Sequence, residues 1–160
     1  MDTLLITRAT PGDSRDLWLW RNDSTTRKMS IQSEEVSWDS HKFWFENSLR
    51  NQDRYFYVGL LAADNAKVGI CRFDVDPVKN VAEVSINLNP TQRGKGFSQT
   101  LLSKAIQAFL SERQMDLVAT IKKENTASIK CFTKCGFVLE SEGDKFDRYR
   151  LQVRGVQASG

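Results

Sequence analysis

The most constraining feature of this sequence is one stretch, residues 81–122, that joins two apolar runs through a glycine-bearing loop and an amphipathic helix. The first run, VAEVSINLN, is followed by Pro90, which cannot continue a strand ladder. In the helix, apolar residues recur at intervals of three and four, and the second run, DLVATIK, suits a buried strand. This order predicts two parallel strands connected by a helix.

Turn residues divide the rest of the chain into further short elements. Before the stretch lie a strand (LLITRA), a helix bearing Leu17 and Trp20, a helix starting near Trp38, and two strands (RYFYVGLLA and AKVGICRFDV). After it come a helix over about 126–134 and two strands (FVLES and KFDRYRLQV). The predicted order βααβββαβαββ indicates an α/β fold with a mixed, largely antiparallel sheet of about seven strands and helices on both faces.

The composition is that of one globular domain: 160 residues, 40% of them hydrophobic and 27% charged. We expect a single domain over residues 1–156 and a loose tail over 157–160. No apolar run approaches the roughly 20 residues of a membrane helix, and the opening residues lack a signal peptide's pattern, so a cytoplasmic protein without membrane contact is expected. The net charge of +3 is scattered, which argues against nucleic acid and fits a small anionic ligand better.

The cysteine and histidine content argues against a metal site. The chain has three cysteines and a single histidine, His41, which excludes most histidine-rich metal sites. Cys131 and Cys135 lie four residues apart in the last predicted helix. Two thiols packed on one helical face explain this spacing better than a redox pair or half of a zinc site. No metal is therefore expected.

The loop Arg93-Gly94-Lys95-Gly96-Phe97-Ser98 stands where unpaired amides and the positive end of a helix dipole point outward. Its glycines allow the main chain to approach an anion, and Arg93 and Lys95 add positive charge. Judged by the glycines alone, a plain tight turn explains the pattern equally well. Neither GxxxxGK[ST] nor GxGxxG is present, because Gln99 stands where the latter's third glycine would fall, so ATP and dinucleotides are not expected.

Two motifs resemble those of the GNAT superfamily, the acetyl-CoA-dependent N-acetyltransferases. The family's Arg/Gln-x-x-Gly-x-Gly/Ala signature is matched by Arg93, Gly96 and Ser98, although Ser98 replaces the usual glycine or alanine. Its second signature, Asn-x-x-Ala-x-x-x-Tyr followed by Lys-x-Gly-Phe, is matched in order and spacing by Asn125, Ser128, Phe132, Lys134, Gly136 and Phe137. The resemblance covers essentially the whole chain.

This resemblance implies acetyl-CoA as co-substrate, held in a splay between the fourth and fifth strands. The backbone of Ile86, Asn87 and Leu88 would pair with the pantetheine arm, and Asn125 would contact the arm from the other side. The pyrophosphate would be bound by the amides of Gly94, Lys95, Gly96, Phe97 and Ser98.

Glu83 is the candidate general base. On the fourth strand it alternates with Ser85 and Asn87 on one face, and a glutamate at this place often serves as base in the family the chain resembles. Spacing alone favours a solvated glutamate paired with a neighbouring cation. Phe132 replaces the tyrosine that protonates the leaving thiolate in many relatives, and Tyr149, Ser128 or water are the alternatives.

The N-terminal half points to the acceptor amine. The segments WRND, RKMSIQSEEVSWDSHKFWF, GICRFDV, AEVSI and KKENTASIKCF are similar to a GNAT branch that acetylates 4-amino groups of nucleotide-linked deoxysugars. That similarity implies that Arg21 and His41 lie near the sugar nucleotide, although from sequence alone an exposed arginine and an ordinary helix histidine are simpler explanations.

Other acceptors and one other class of function stay open. The N-terminal pattern also resembles ribosomal-protein N-terminal acetyltransferases, for which an open cleft lined by Glu34 and Glu35 would be diagnostic. An antibiotic or polyamine acceptor is a third alternative. A non-catalytic acyl-CoA-binding domain would explain the missing tyrosine, and a homodimer is neither required nor excluded.

Overall fold

The computed structural model describes residues 3–153, which form seven strands and five helices around one sheet. The strands are β1 Leu4–Arg8, β2 Arg54–Leu61, β3 Lys67–Asp76, β4 Val81–Leu88, β5 Asp116–Lys122, β6 Val138–Glu142 and β7 Phe146–Leu151. The helices are α1 Ser14–Arg21, α2 Ser24–Met29, α3 Trp38–Leu49, α4 Phe97–Glu112 and α5 Thr126–Lys134.

The sheet has the order β1-β2-β3-β4-β5-β7-β6. All neighbours pair antiparallel except β4 and β5, which pair parallel because α4 carries the chain back across the sheet between them. The predicted mixed, largely antiparallel α/β sheet is confirmed, and so is the parallel pair around the glycine loop.

Helices cover both faces of the sheet because alternate strand residues point to opposite sides. On one face, α4 buries Leu102, Ala105 and Phe109, and the Phe109 ring stacks on Phe73 of β3 with centroids 4.4 Å apart. On the other face, α1 and α3 pack on β2 and β3. Their shared core consists of Leu17, Trp20, Phe45, Phe56, Val58 and Ile70.

The short helix α2 was missed by the sequence prediction. Its sequence, STTRKM, has no apolar period, and none of its residues is buried. The helix begins because the Asp23 side chain accepts a hydrogen bond of 3.1 Å from the Thr26 amide. Polar contacts therefore hold α2, and such contacts leave little trace in a hydrophobicity pattern.

The predicted domain bounds and tail extend beyond the residues that the structure describes. The tail over 157–160 lies outside the described residues, and the single domain over 1–156 stays a prediction. Within residues 3–153, no helix combines the length and apolar character that a membrane span requires.

Candidate active site

Strands β4 and β5 separate after only three residue pairs. Their parallel register ends at Glu83 opposite Val118, whereas β4 continues to pair with β3 as far as Leu88. Strand β5 likewise stays paired with β7 up to Lys122. Each strand thus follows its outer neighbour, and the inner edge of β4 beyond Glu83 has no strand partner, which confirms the predicted splay.

A cavity of about 400 Å3, called here the larger cavity, opens at this splay. The sequence assigned seven of its lining residues to co-substrate binding: Ile86, Asn87, Leu88, Arg93, Gly94, Ser98 and Asn125. Lys95, Gly96 and Phe97 belong to the same loop but do not line the cavity. The remaining walls come from α2, the residue directly after it, and α5: Thr25, Thr26, Met29, Ser30, Ala127, Ser128 and Cys131.

The loop before α4 presents free amides to solvent. Gly94 and Gly96 have φ angles of +74° and +79°, which side-chain-bearing residues rarely adopt, and a Cβ at either position would meet no atom within 4 Å. In residues 3–153 the amides of Gly94, Lys95 and Gly96 donate to no protein acceptor, and the first amides of α4 have no helical carbonyl to bond. The loop therefore fits a diphosphate.

Arg93 lines the larger cavity, but its guanidinium is already bonded to the start of α2. Its guanidinium donates to the Asp23 carboxylate at 2.5 Å and to the Thr26 hydroxyl at 2.7 Å, both at the start of α2. The hydrogen bond from Arg93 also lowers the pKa of the Asp23 carboxyl. The arginine fastens α2 to the loop. Lys95, whose ammonium lies 3.3 Å from the Gln92 amide oxygen, has no carboxylate partner within residues 3–153.

A second cavity of about 210 Å3, called here the smaller cavity, lies under α1, α2 and α3. Its lining residues are Leu17, Arg21, Thr26, Ser30, His41, Trp44, Phe56, Ile70, Arg72, Ser85, Ile86 and Asn87. It shares four of these residues with the larger cavity: Thr26, Ser30, Ile86 and Asn87. The structure thus brings Arg21 and His41 together in a cavity that meets the larger one beside the splayed part of β4.

His41 is a buried, neutral histidine that holds Arg21. Only 1% of it is exposed, and its ring stacks with Phe45 and contacts Trp44. Because a guanidinium only donates, the 3.3 Å contact from Arg21 makes Nδ1 of His41 the acceptor. Burial, aided by the Arg21 charge and opposed by the Ser14 backbone, lowers the pKa of His41 to about 4. The imidazole is therefore uncharged at neutral pH.

Arg72 is a cavity residue to which sequence reasoning gave no role. Its guanidinium carbon lies 4.7 Å from the Trp44 ring centroid, and that of Arg21 lies 5.2 Å from the same centroid. Asp74 accepts a hydrogen bond from Nε of Arg72 at 3.0 Å, and its other carboxylate oxygen lies 2.8 Å from Nη2 in an ion pair. Arg72 is a charged residue between the buried Cys71 and Phe73, but only the tertiary structure shows that its side chain lies under α3.

A model of the acetyltransferase (GNAT) domain matches residues 3–138 of the sequence. The chain belongs to the GNAT acetyltransferase family. A relative from Bacillus subtilis (strain 168), named "putative phosphinothricin acetyltransferase YwnH", is 25% identical over 150 residues, which cover 88% of this chain and 90% of the relative.

Solved structures share the fold. The spermidine N-acetyltransferase of Vibrio cholerae, in complex with CoA and spermine, superposes with a TM-score of 0.81 at 20% identity and 92% coverage of both chains. A dodecameric structure of that enzyme has a TM-score of 0.76 at 21% identity and 93% coverage of both chains. The family model establishes a GNAT acetyltransferase, whose co-substrate is acetyl-CoA, and the solved structures establish the fold.

The second GNAT motif places two of its residues on the wall of the larger cavity. Asn125 caps α5, and its side-chain oxygen accepts the Ser128 amide at 3.2 Å. Phe132 points into the core instead, where its ring meets Phe137 edge to face at 5.0 Å. Of the residues considered in place of the missing tyrosine, Ser128 lines the cavity, whereas Tyr149 is buried and lines neither cavity.

Cys131 of α5 and Cys135, directly after that helix, are packed thiols, as predicted. Cys131 is buried in the cavity wall, and burial raises the pKa of its thiol, so the sulfur is protonated at neutral pH. The Cys135 sulfur lies 3.7 Å from the Gln99 carbonyl oxygen on α4. Among residues 3–153, no three histidine, cysteine or acidic side chains gather in a way that could hold a metal ion.

Glu83 lies beside the smaller cavity without lining it. Its carboxylate accepts a hydrogen bond from the Thr120 hydroxyl at 3.4 Å and lies 3.8 Å from the Arg148 guanidinium. The side chain is 44% exposed. Ser85, two residues further on the same face of β4, does line that cavity. Glu83 therefore lies on the face of β4 that carries a residue of the cavity wall, and its carboxylate is open to water.

Proposed function

We propose that this GNAT enzyme transfers the acetyl group of acetyl-CoA to the primary amine of a small acceptor held in the smaller cavity. One observation carries the proposal: the two cavities share Thr26, Ser30, Ile86 and Asn87 beside the splayed strand. A thioester in one cavity and an amine in the other would meet there, and such proximity lowers the barrier to direct attack.

The larger cavity would hold the co-substrate mainly through the backbone. The unpaired edge of β4 at Ile86, Asn87 and Leu88 would bind the extended arm as a neighbouring strand would. The amides of residues 94–98 would bind the diphosphate, and Asn125 would contact the arm across the cavity. Acetyl-CoA supplies the activated acyl group; the protein orients it and excludes water.

Glu83 would accept the amine proton through a water molecule, since its carboxylate lines neither cavity. The demand on this base depends on the acceptor. An amine with a pKa near 10.4 costs roughly 4.6 kcal/mol to neutralise at pH 7, whereas one near 7.8 costs about 1 kcal/mol. A leaving thiol with a pKa near 8.5 costs only about 2 kcal/mol to expel as thiolate, so the reaction proceeds without a tyrosine at Phe132.

The acceptor we favour is the 4-amino group of a nucleotide-linked amino-deoxysugar. Arg21 and His41, which the amino-sugar branch places near the sugar nucleotide, line the same cavity. A polyamine, the substrate class of the Vibrio cholerae enzyme, is disfavoured because the lining carries two arginines and no carboxylate. For a ribosomal-protein terminus, Glu34 and Glu35 would have to line the cleft, and they line neither cavity.

A panel of acceptors tests the proposal. Thiol release from acetyl-CoA is measured with a UDP-4-amino-deoxysugar, phosphinothricin, spermidine and a peptide with a free amino terminus. Release with the UDP-sugar and not with the peptide is expected. The opposite pattern rejects the sugar, and no release with any amine rejects the proposed reaction. Sedimentation of the purified protein determines whether it forms a homodimer, which the sequence neither requires nor excludes.

A further inference from the structure

We infer that the smaller cavity contains an anion subsite, formed by Arg21 and Arg72 around Trp44, which binds a carboxylate, phosphinate or phosphate group of the acceptor. The inference rests on the proposed function for the reacting amine. It adds a substrate class that the amine chemistry alone does not specify: amines that also carry a negative group.

The two arginines face the cavity with donors to spare. Asp74 occupies Nε and one terminal nitrogen of Arg72, and within residues 3–153 the other terminal nitrogen, Nη1, has no partner. Arg21 donates only to the neutral ring of His41 and has no carboxylate partner in the same residues. Each guanidinium can therefore donate to a ligand without breaking a bond to the protein.

Positive charge accumulates in this cavity without full compensation. No acidic side chain lines it, and Arg21 and Arg72 stand over the same indole ring, that of Trp44. Burial together with the charge of Arg72 lowers the pKa of Arg21, the direction expected when two like charges lie close together. A bound anion would relieve this repulsion and accept charge-assisted hydrogen bonds from both side chains.

The size and position of the cavity limit the ligand. Its volume of about 210 Å3 is below the roughly 300–1,000 Å3 typical of sites that enclose drug-sized ligands. Arg72 on β3 lies opposite Ser85 on β4, the strand that also carries Ile86 and Asn87, two of the four residues that both cavities share. The cavity therefore suits an amine with an anionic group close by, and the uridine of a UDP-linked sugar, beyond its phosphates, would extend outside it.

Binding of inorganic phosphate tests the subsite without requiring turnover. Phosphate is titrated calorimetrically into protein saturated with CoA, which fills the other anion site. We expect binding that weakens at least tenfold in Arg21→Gln and in Arg72→Gln. Arg54→Gln is the matched control, because Arg54 also lies near Asp74, at 3.8 Å, but lines neither cavity; it should bind phosphate like the unaltered protein. Equal binding by all four proteins, or none by any, overturns the inference.

Turnover measurements then identify which group of the acceptor is the anion. They also distinguish failure of the subsite from failure of the proposed function. Phosphinothricin and a UDP-4-amino-deoxysugar are compared with spermidine, and we expect Arg72→Gln to raise KM at least tenfold for whichever anionic amine is acetylated. A KM increase for phosphinothricin identifies a carboxylate or phosphinate as the ligand, and a KM increase for the UDP-sugar identifies a phosphate.

If spermidine is the best substrate and both arginine variants leave its KM unchanged, the subsite is wrong while acetyl transfer stands. If no amine reacts but phosphate binding depends on both arginines, the proposed function is wrong while the subsite stands.

Discussion

The two cavities recognise their ligands by different means. The larger cavity offers backbone: an unpaired strand edge at Ile86–Leu88 and the free amides of the loop 94–98. The smaller cavity offers side chains from three separate elements: Arg21 on α1, Trp44 on α3 and Arg72 on β3. Backbone recognition needs few particular side chains, so it suits a co-substrate common to a family, whereas side chains can change with the acceptor.

Glu83→Gln tests whether catalysis can be separated from both cavities, and it should have the largest effect. Loss of a general base lowers kcat by roughly 10²- to 10⁴-fold. Because Glu83 lines neither cavity, the dissociation constants of acetyl-CoA and phosphate should not change. Steady-state kinetics and calorimetry measure the two quantities.

Glu140→Gln is the matched control for that substitution, because Glu140 also pairs with Arg148, at 3.4 Å. It should retain kcat. A Glu83→Gln enzyme with an unchanged kcat would remove this glutamate from the mechanism, and equal losses in both variants would assign the effect to Arg148.

Gly96→Val should disable the larger cavity alone. Valine is strained at a φ of +79°, and its side chain would occupy the open space before the free amides. We expect the acetyl-CoA dissociation constant, measured calorimetrically, to rise roughly 30- to 150-fold, which corresponds to a binding penalty of about 2–3 kcal/mol. Gly12→Ala, at a glycine without positive φ, is the control. Unchanged affinity for acetyl-CoA in Gly96→Val would contradict the diphosphate assignment.

Because His41 is buried in the wall of the smaller cavity, the free energy of unfolding should depend on pH. The pKa of this histidine falls from 6.5 in the unfolded chain to about 4 in the fold, so protons bind to the unfolded state first as pH falls. The contribution of the neutral His41 to the free energy of unfolding is therefore fully present above about pH 6.5, and it is lost as the pH falls toward 4. Between pH 7 and pH 5 the loss amounts to about 2 kcal/mol.

Urea unfolding of the original protein and of His41→Gln, each at pH 7 and pH 5, measures this loss of unfolding free energy. His41 is the only histidine of the sequence, so the substitution removes one titration and no other histidine confuses the result. An equal loss of stability in both proteins would show that His41 does not titrate as the buried environment predicts.

The contact between Arg93 and Asp23 fastens α2, whose Thr26 lines both cavities, to the glycine loop, and breaking it should give the smallest effect. Asp23→Asn would free Arg93 to turn toward the diphosphate, so acetyl-CoA should bind about two- to fivefold tighter, the scale of an exposed ion pair. The gain should shrink in high salt. Glu35→Gln, which breaks the nearby pair with Arg27 at 3.6 Å, should not change affinity. Weaker binding in Asp23→Asn would mean that α2 must stay fastened for the co-substrate to bind.

Local chemistry allowed much of this structure to be predicted. Alternation along the strands, the apolar period of α4 and the turn residues predicted every strand and four of the five helices in residues 3–153. Free amides at the loop were predictable because glycines and the start of a helix create them without distant partners. Helix α2 was not, because its capping residue Asp23 and its contact with Arg93, 70 residues away, leave no hydrophobic period.

By itself, therefore, the sequence determined the order of the elements, the parallel pair around the glycine loop and the motifs of an acetyl-CoA-dependent enzyme, because all of these depend on residues near one another in the chain. Only the tertiary structure decided where the longer side chains lie. It turned Arg93 toward α2, placed Arg72 and Arg21 over one tryptophan, and left Glu83 at the edge of the cavity instead of in its wall. The direction of a long, charged side chain depends on partners supplied by distant segments, and no local pattern encodes those partners.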